Sequence, residues 1–491
     1  MNVAFLLPFY DGRNHSLFLG VGYLSQSLKQ NGFFTTILDE DAIVFVMEQR
    51  GLSEPFESSR EFIFDYLEDF APDVIALTIN TTNYQRSLDL LRFVRMSFPE
   101  VFVLVGGPHI TTSWVTFRKY HTSLFDAAVV GEGEETIIEV CSHLKNRTDW
   151  RKTKGCIASS EYEHSFFPRP LVQNLDSLPF PDRDGFFSVF PTHEKTLLEE
   201  HYKRVFYSYL PGFRKQNFCR IVASRGCNFA CEFCSPSVCW KNPETGKPER
   251  RLRTPENLVD EIEFLTKSGY ESFYFDDPTF PFISRPDFIK KFLSEIEARK
   301  LHISWAAPTR YDELTEDILE KLAHSGFTYT YFGLETHRND CLNNMGKPTD
   351  VERSLRVIGL CEKYGIHCDV SWQIGLPGDS LQTIIDDIKW LEDKGLQKRS
   401  FFSIAAIWPE TALAKRYGIT SEDFEPEVNK VEHENRGLFF FPSGDQRIER
   451  FFSNCSGTFH FINIETAIQV KYYLMDAGFI KRFGDENIIN K

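Results

Sequence analysis

Two long runs of the chain alternate short apolar stretches with amphipathic stretches of helical period, and this alternation narrows the fold more than any other feature. Strands separated by helices form parallel sheets with crossover connections, not hairpins. In the first run "VAFLLP" (3–8) precedes the amphipathic "GYLSQSLKQNG" (22–32), which stops at Gly32, a favourable residue just past a helix end. "FTTILD" (34–39), "PDVIALTIN" (72–80), "VFVLVGG" (101–107) and "DAAVVGEGE" (126–134) continue the pattern. Five strands with four intervening helical stretches predict a doubly wound, Rossmann-like domain over residues 1–145. Ligands of such domains sit beyond the carboxyl ends of the strands. Asp39, Asn80 to Asn83, Gly106, Gly107 and Gly131 to Glu134 fall at those ends.

Residues 146–205 read as a connector, with two prolines in "LDSLPFPDRD" (175–184) and little periodicity. A second alternation follows, with strands predicted near 219–224, 272–276, 302–306, 328–334, 367–374 and 401–407. Its helices are punctuated. Thr254 precedes Pro255 as a cap, Thr315 precedes "EDILEKLAHSG", and glycines 269, 365 and 395 close their helices. Six β/α units predict a partial (β/α)6 barrel over 206–410. The remaining 411–491 change character and are expected to form a small C-terminal extension capping a substrate pocket.

The 491 residues carry a formal net charge of −15, which argues against a general nucleic-acid binder, whose footprint is basic. Phe-rich stretches such as "LFFFP" (438–442) fit either core packing or an apolar substrate wall. The N-terminal "MNVAFLLPFYDGRNH" lacks a basic leader, and Pro8 and Asp11 interrupt its apolar run, so it reads as a buried strand, not a signal peptide. No stretch approaches the roughly 20 apolar residues of a membrane span. A cytoplasmic protein is expected, and its eleven cysteines point to thiol, metal or redox chemistry before disulfides.

"RGCNFACEFC" (225–234) places Cys227, Cys231 and Cys234 in a C-x3-C-x2-C pattern directly after the first predicted barrel strand. Barrel sites are built on this carboxyl-end face. A closed structural zinc site needs four ligands. Cys239 is the one nearby thiol able to complete it. The other reading is a [4Fe–4S] cluster with three protein thiolates and one open iron.

The cysteine pattern, with Phe233 before the third cysteine, resembles the radical S-adenosylmethionine (SAM) superfamily. So do "RLRTPENLVDEIEFLTKSGYESFYFDDPTF" (251–280), "WAAPTRYDEL" (305–314), "YFGLET" (331–336) and "VSWQIGLPGDS" (370–380), in order over about 190 residues. The resemblance implies that Cys227, Cys231 and Cys234 hold the cluster and that SAM chelates the open iron. An electron from the cluster then cleaves SAM to a 5′-deoxyadenosyl radical. It also implies roles residue by residue. Phe233 lies near the adenine, and Asp276 or Asp277 meets the SAM amino group. Arg310 and Glu335 serve the carboxylate and the ribose hydroxyls or amine. Gly375, Leu376 and Pro377 form the adenine-contacting turn. For Arg310 and Glu335 an internal ion pair is the structural alternative.

"GVGYLSQSLKQNGFFTTILD", "INTTNYQRSLDLL", "VLVGGPHITT" and "AAVVGEGEETI" together resemble the cobalamin-binding domain of the B12-binding radical SAM subfamily. That subfamily includes C- and P-methyltransferases and the anaerobic magnesium-protoporphyrin cyclase. The implied cobalamin contacts are Thr81, Thr82, Tyr84, Gly106, Gly107, His109, Gly131, Glu132 and Gly133. The chain departs from many cobalamin carriers in lacking D-x-H-x-x-G. "DGRNH" (11–15) has the wrong spacing, which leaves the lower face of cobalt without a histidine by this route.

Residues 1–140 hold no cysteine, which excludes the methylthiotransferases with their second, N-terminal cluster. The expected activity is cobalamin-dependent methylation of an unactivated carbon in a small metabolite. A reductant such as flavodoxin or ferredoxin would supply electrons, and no nucleic acid takes part. A cyclase or rearrangement enzyme of the same architecture is the alternative. A cobalamin sensor or carrier is a further one, which the intact cysteine pattern argues against.

Overall fold

The computed structural model describes residues 1–10, 17–160, 166–204, 217–425, 437–441 and 457–479. The chain divides into two compact units. The first holds the described residues up to 204 with 217–228 and Pro236–Tyr270. The second holds Phe229–Ser235 and the described residues from Glu271 onward.

The first unit is built on strands β1 (Asn2–Leu7), β2 (Phe34–Asp39), β3 (Val74–Thr78), β4 (Phe102–Gly106), β5 (Ala127–Val129) and β6 (Cys156–Ala158). Their order is β2-β1-β3-β4-β5-β6. All neighbours are parallel except β5 and β6. Strand β1 touches β2 on one side and β3 on the other, so the winding reverses there and a crevice opens at the strands' carboxyl ends. Sequence patterning finds the five parallel strands to within a few residues. It misses β6, a three-residue edge strand too short to show alternation.

Helices α1 (Leu19–Gln30), α2 (Glu40–Gln49), α3 (Pro55–Phe70), α4 (Tyr84–Ser97), α5 (Pro108–His121) and α6 (Glu134–Lys145) connect these strands. Burial on both faces explains the near-continuous apolar composition of β1, β3 and β4. Gly32 follows α1 in the left-handed region at φ 77°, as its position predicts.

The same unit contains α7 (Thr192–Arg204), β7 (Phe218–Ile221), the antiparallel pair β8 (Ser224–Arg225) and β9 (Arg251–Leu252), α8 (Pro236–Cys239) and α9 (Pro255–Lys267). Thr254 caps α9, its hydroxyl accepting from Asn257 N–H at 3.3 Å, with Pro255 in the first turn.

In the second unit β10 (Ser272–Phe275), α10 (Pro286–Ala298), β11 (Ser304–Pro308), α11 (Glu316–His324), β12 (Phe327–Glu335), α12 (Asn339–Asn344), α13 (Val351–Lys363), β13 (His367–Ile374), α14 (Leu381–Asp393) and β14 (Ser400–Ile404) follow one another. The five strands lie side by side in chain order, all parallel. Thr315 precedes α11 with extended backbone, but its side chain makes no capping hydrogen bond. Phe275, Phe280, Phe292, Trp305 and Phe327 interlock in one aromatic core, with the Trp305 and Phe327 centroids 4.5 Å apart.

A further layer comprises β15 (Ala406–Ile407), α15 (Ala412–Arg416), β16 (Phe439–Phe441), β17 (Thr458–His460) and α16 (Ile464–Asp476). Its small antiparallel sheet runs β15-β17-β16. Buried His460 ties it to the end of β14, one ring nitrogen 2.9 Å from the Ala405 carbonyl and the other 2.7 Å from the Thr458 hydroxyl. Leu438 and Phe441 are core residues of this layer, so packing accounts for them. Pro442 and Cys455 lie outside the described residues. Among the described residues no helix is long and apolar enough to cross a membrane.

Candidate cofactor site

In the first unit the carboxyl edge of the sheet is shaped by glycine. Gly107 adopts φ 101°, and a side chain there would come within 2.7 Å of the Thr78 hydroxyl and 2.8 Å of the Ile79 backbone. Only a bare backbone lets the β3 and β4 turns approach this closely. Gly106, beside it, accepts from Ile79 N–H at 2.8 Å.

Thr81 and Tyr84 are buried and Thr82 is half-buried. The Thr81 hydroxyl lies 3.1 Å from His109 Nδ1, and the Tyr84 ring stacks on the His109 imidazole at 4.2 Å. Burial, with His121 nearby, pushes the His109 pKa down to about 3, so the ring is neutral. Gly131, at φ 87°, borders open space, whereas Gly133 packs against Leu24.

Glu132, between these glycines, is engaged by the protein itself. Its Oε1 accepts from Arg225 at 2.9 Å, and its Oε2 accepts from Arg251 at 2.7 Å and from Val172 N–H at 2.6 Å. Arg225 also pairs with Glu134 at 2.5 Å. Burial works against the Glu132 charge, but the two guanidiniums prevail and hold its pKa below the usual carboxylate range. The resemblance assigns Glu132 to cobalamin, whereas here both of its oxygens are taken by the protein, and the arginines that take them were not anticipated. They lie 93 and 119 residues away, and no local pattern announces them.

Cys227, also in this unit, is half-buried and follows Gly226 at φ 82°, where a side chain would collide with the Glu249 carbonyl. Cys239, the alternative fourth thiolate, ends α8. Burial lifts its thiol to about 11.

The second unit holds the other two cysteines on the segment Phe229–Ser235. Cys231 is buried and Cys234 half-buried, and Cys234 N–H donates to the Cys231 carbonyl at 3.1 Å in a tight turn. Backbone bonds anchor the segment on both sides. Glu232 N–H donates to the Met345 carbonyl at 3.0 Å, and Leu413 N–H donates to the Glu232 carbonyl at 3.0 Å.

Three strand ends meet the aromatics of this segment. After β11, the Arg310 guanidinium lies 4.1 Å above the Phe229 ring and forks onto Asp312 at 2.9 Å through both of its bonds. Burial pulls against the charge, but the Asp312 carboxylate lifts the Arg310 pKa above its ordinary value. At the end of β12, buried Glu335 pairs with Lys347, and the Lys347 ammonium lies 5.9 Å from the Phe233 ring. Phe233 also packs against the group formed by Cys341, Leu342, Met345, Leu376 and Ala405.

Leu376 of the predicted adenine turn therefore belongs to the apolar group against which Phe233 packs. Gly375 has φ 75°, and a methyl there would lie 3.0 Å from Ile462 of the C-terminal layer. Pro377 is half-buried. Asp379 shapes the turn by accepting from Leu376 N–H at 2.8 Å while pairing with Arg338. After β10, Asp277 is buried and Asp276 half-buried. Arg310 and Glu335 each form an internal ion pair, with Asp312 and Lys347 and not with one another. Lys347, Arg338 and Asp379 escaped sequence reasoning, being single charged residues in loops without a repeated pattern.

The donor chemistry fits the implied group, since three thiols on one short segment match a cluster that leaves one iron open. Among the described residues no three His, Cys, Asp or Glu side chains are gathered to hold a metal ion. The fit rests on the number, spacing and backbone turns of the cysteines, not on a preformed cage.

Fold and sequence together define a doubly wound domain followed by a parallel β/α domain, with three cysteines spaced C-x3-C-x2-C at 227–234. The sequence model of the B12 binding domain matches residues 16–141, and that of the radical SAM superfamily matches residues 221–391. The chain belongs to the radical SAM enzymes that carry a B12 binding domain, whose cofactors are a [4Fe–4S] cluster, SAM and cobalamin.

An uncharacterised methyltransferase of Pyrococcus horikoshii is 29% identical over 74% of this chain and 72% of its own length. The anaerobic magnesium-protoporphyrin IX monomethyl ester cyclase of Rubrivivax gelatinosus is 25% identical over 82% and 67%. Among solved structures, the radical SAM methyltransferase TsrM of Kitasatospora setae superposes with TM-score 0.63 at 17% identity, covering 85% of this chain and 75% of its own. The cobalamin-dependent enzyme OxsB superposes with TM-score 0.67 at 14% identity, covering 100% and 70%. At these identities the superpositions establish the fold.

Proposed function

We propose that this protein transfers a methyl group to an unactivated carbon of a small metabolite. The observation that carries the reading is the convergence within the second unit. Arg310 meets Phe229, Glu335 reaches Phe233 through Lys347, and Leu376 belongs to the apolar group against which Phe233 packs, so three successive strand ends gather around the two aromatics flanking Cys231. That is the arrangement a SAM site on this segment needs.

Cys227, Cys231 and Cys234 hold the cluster. Arg310 and Glu335 bind the carboxylate and the donor groups of SAM, Asp276 or Asp277 takes the amine, and Gly375 to Pro377 line the adenine. When bound, the cluster and SAM supply a 5′-deoxyadenosyl radical, and cobalamin carries the methyl group. In the first unit the glycine turns at Gly106, Gly107, Gly131 and Gly133 offer backbone to the corrin, with Thr81 and Thr82 beside them. Glu132, His109 and Tyr84 support these turns from within. Ile462 and the aromatic layer behind it exclude water from the Gly375 turn. A flavodoxin- or ferredoxin-type reductant in the cytoplasm provides electrons.

The similarity to a cyclase gives weight to a second reading, ring closure without net methyl transfer. The test is anaerobic reconstitution with iron, sulfide, cobalamin and reductant, followed by incubation with SAM and candidate metabolites. Formation of 5′-deoxyadenosine together with a product heavier by one CH2 supports methyl transfer. Deoxyadenosine with a product of unchanged or lower mass supports cyclisation, and no SAM cleavage at all refutes both.

A further inference from the structure

We infer that Lys347 is a positioning residue of the SAM site, holding one oxygen of Glu335 so that the other is presented to a donor group of the cofactor. The inference rests on reading Glu335 as a SAM contact. Four features of the second unit carry it.

Glu335 ends β12 at φ 65°, a left-handed backbone conformation that costs a residue with a side chain and persists only where the surroundings enforce it. Lys347 grips the side chain that this backbone presents. Its ammonium holds Glu335 Oε1 and donates to the Gly333 carbonyl at 2.9 Å, closing a loop across the end of the strand. Gly333 is the third feature. Any side chain there would overlap both the Glu335 carboxylate and the Lys347 ammonium, so the clasp requires glycine at that place. The fourth is Glu335 Oε2, which is buried and has no hydrogen-bond partner. A buried carboxylate oxygen without a donor is costly, and here it coincides with a strained backbone and a clasped partner oxygen. Here one oxygen is clasped and the other is open, as a site awaiting a ribose hydroxyl or an ammonium group would be. Lys347 also stands beside the Phe233 ring, between Cys231 and Cys234 in sequence, so the clasp and the cysteine segment share one neighbourhood.

The test measures SAM affinity by anaerobic calorimetry on the full chain after cluster reconstitution, with iron content and circular dichroism as controls. Lys347→Met is expected to weaken SAM binding about 10- to 100-fold, the range of one charge-assisted hydrogen bond. Lys347→Arg, which keeps a donor, should recover part of that loss. The decisive comparison uses Glu335→Gln. If Lys347 acts through Glu335, the double variant Glu335→Gln/Lys347→Met binds SAM no more weakly than Glu335→Gln alone. The double variant also removes the buried charge that Lys347→Met would strand, so the comparison survives if the single variant fails to fold. Wild-type affinity in Lys347→Met, or a further loss in the double variant, overturns the assignment. Failure of the wild-type protein to bind SAM is seen before any variant is made, and it overturns the functional reading together with the assignment.

Discussion

Glu132 in the first unit and Glu335 in the second are both buried glutamates beyond the carboxyl ends of parallel strands, yet their surroundings differ in kind. Glu132 spends both oxygens on Arg225, Arg251 and a backbone N–H, and its backbone is unstrained. Glu335 sits in the left-handed region, with one oxygen on Lys347 and the other unmet. A buried carboxylate whose acceptor capacity is used up belongs to the architecture. The strained, half-used one is the one we assign to a ligand.

The largest effect should come from removing the proposed cluster ligands. Replacing Cys227, Cys231 and Cys234 by Ala is expected to abolish SAM cleavage and the brown chromophore. Reconstituted wild type should hold about four irons per chain, and close to twice that amount would mean a second cluster. Next is Glu132→Ala, which removes the carboxylate shared by two buried guanidiniums, leaving Arg225 only Glu134, and should lower stability by roughly 3–5 kcal/mol, read from denaturant midpoints. A near-neutral result would show that the arginines find other partners and that the saturated pair is not structural.

Glu335→Gln should show the opposite profile. The amide keeps an acceptor for Lys347 but turns the open position into a donor, so SAM affinity should fall by about 1.5–3 kcal/mol while the melting temperature moves far less than in Glu132→Ala. Arg310→Ala, which frees Asp312 and bares the Phe229 ring, should weaken SAM binding without loss of iron. If both variants bind SAM like wild type, the half-used carboxylate is a structural feature after all.

The smallest effect concerns pH and adds a third carboxylate to the comparison. Asp39, at the end of β2, is buried. Burial, reinforced by Glu40 and opposed by the Asp41 N–H, lifts its pKa to about 7. A raised carboxyl favours the folded state while protonated. Its contribution is complete below the ordinary value of about 4 and is lost as pH rises through about 7. Glu132, held low by its arginines, has the reverse sign and loses its contribution as pH falls through its depressed pKa. Asp39→Asn should therefore gain stability over wild type at pH values above about 7, as its folded-state pKa implies, with little difference under acid conditions. Equal pH profiles for the two proteins would show that Asp39 is not the titrating group.

Much of this was legible in the chain. The apolar alternation locates the strands of both sheets because period and burial are local properties of a strand. Thr254 with Pro255 announces a helix start for the same reason. The three cysteines declare themselves by spacing, and "YFGLET" marks Glu335 as a strand-end acid. Strand β6 was not legible, being three residues long. Lys347 was not either, since one lysine in "NMGKPT" carries no periodic or spacing signal.

By itself, then, the sequence determined that the chain folds as two parallel α/β parts, that three cysteines stand on one segment, and that glycine turns line the first sheet's edge. The tertiary structure decided which charges meet. It gave Glu132 to Arg225 and Arg251, across 93 and 119 residues, and gave Arg310 to Asp312 instead of Glu335. It also brought Lys347 back across 12 residues to Glu335, leaving one oxygen open. Patterning reads forces that act between near neighbours in the chain, whereas an ion pair depends on where packing places two distant backbones, and one residue's displacement would choose another partner.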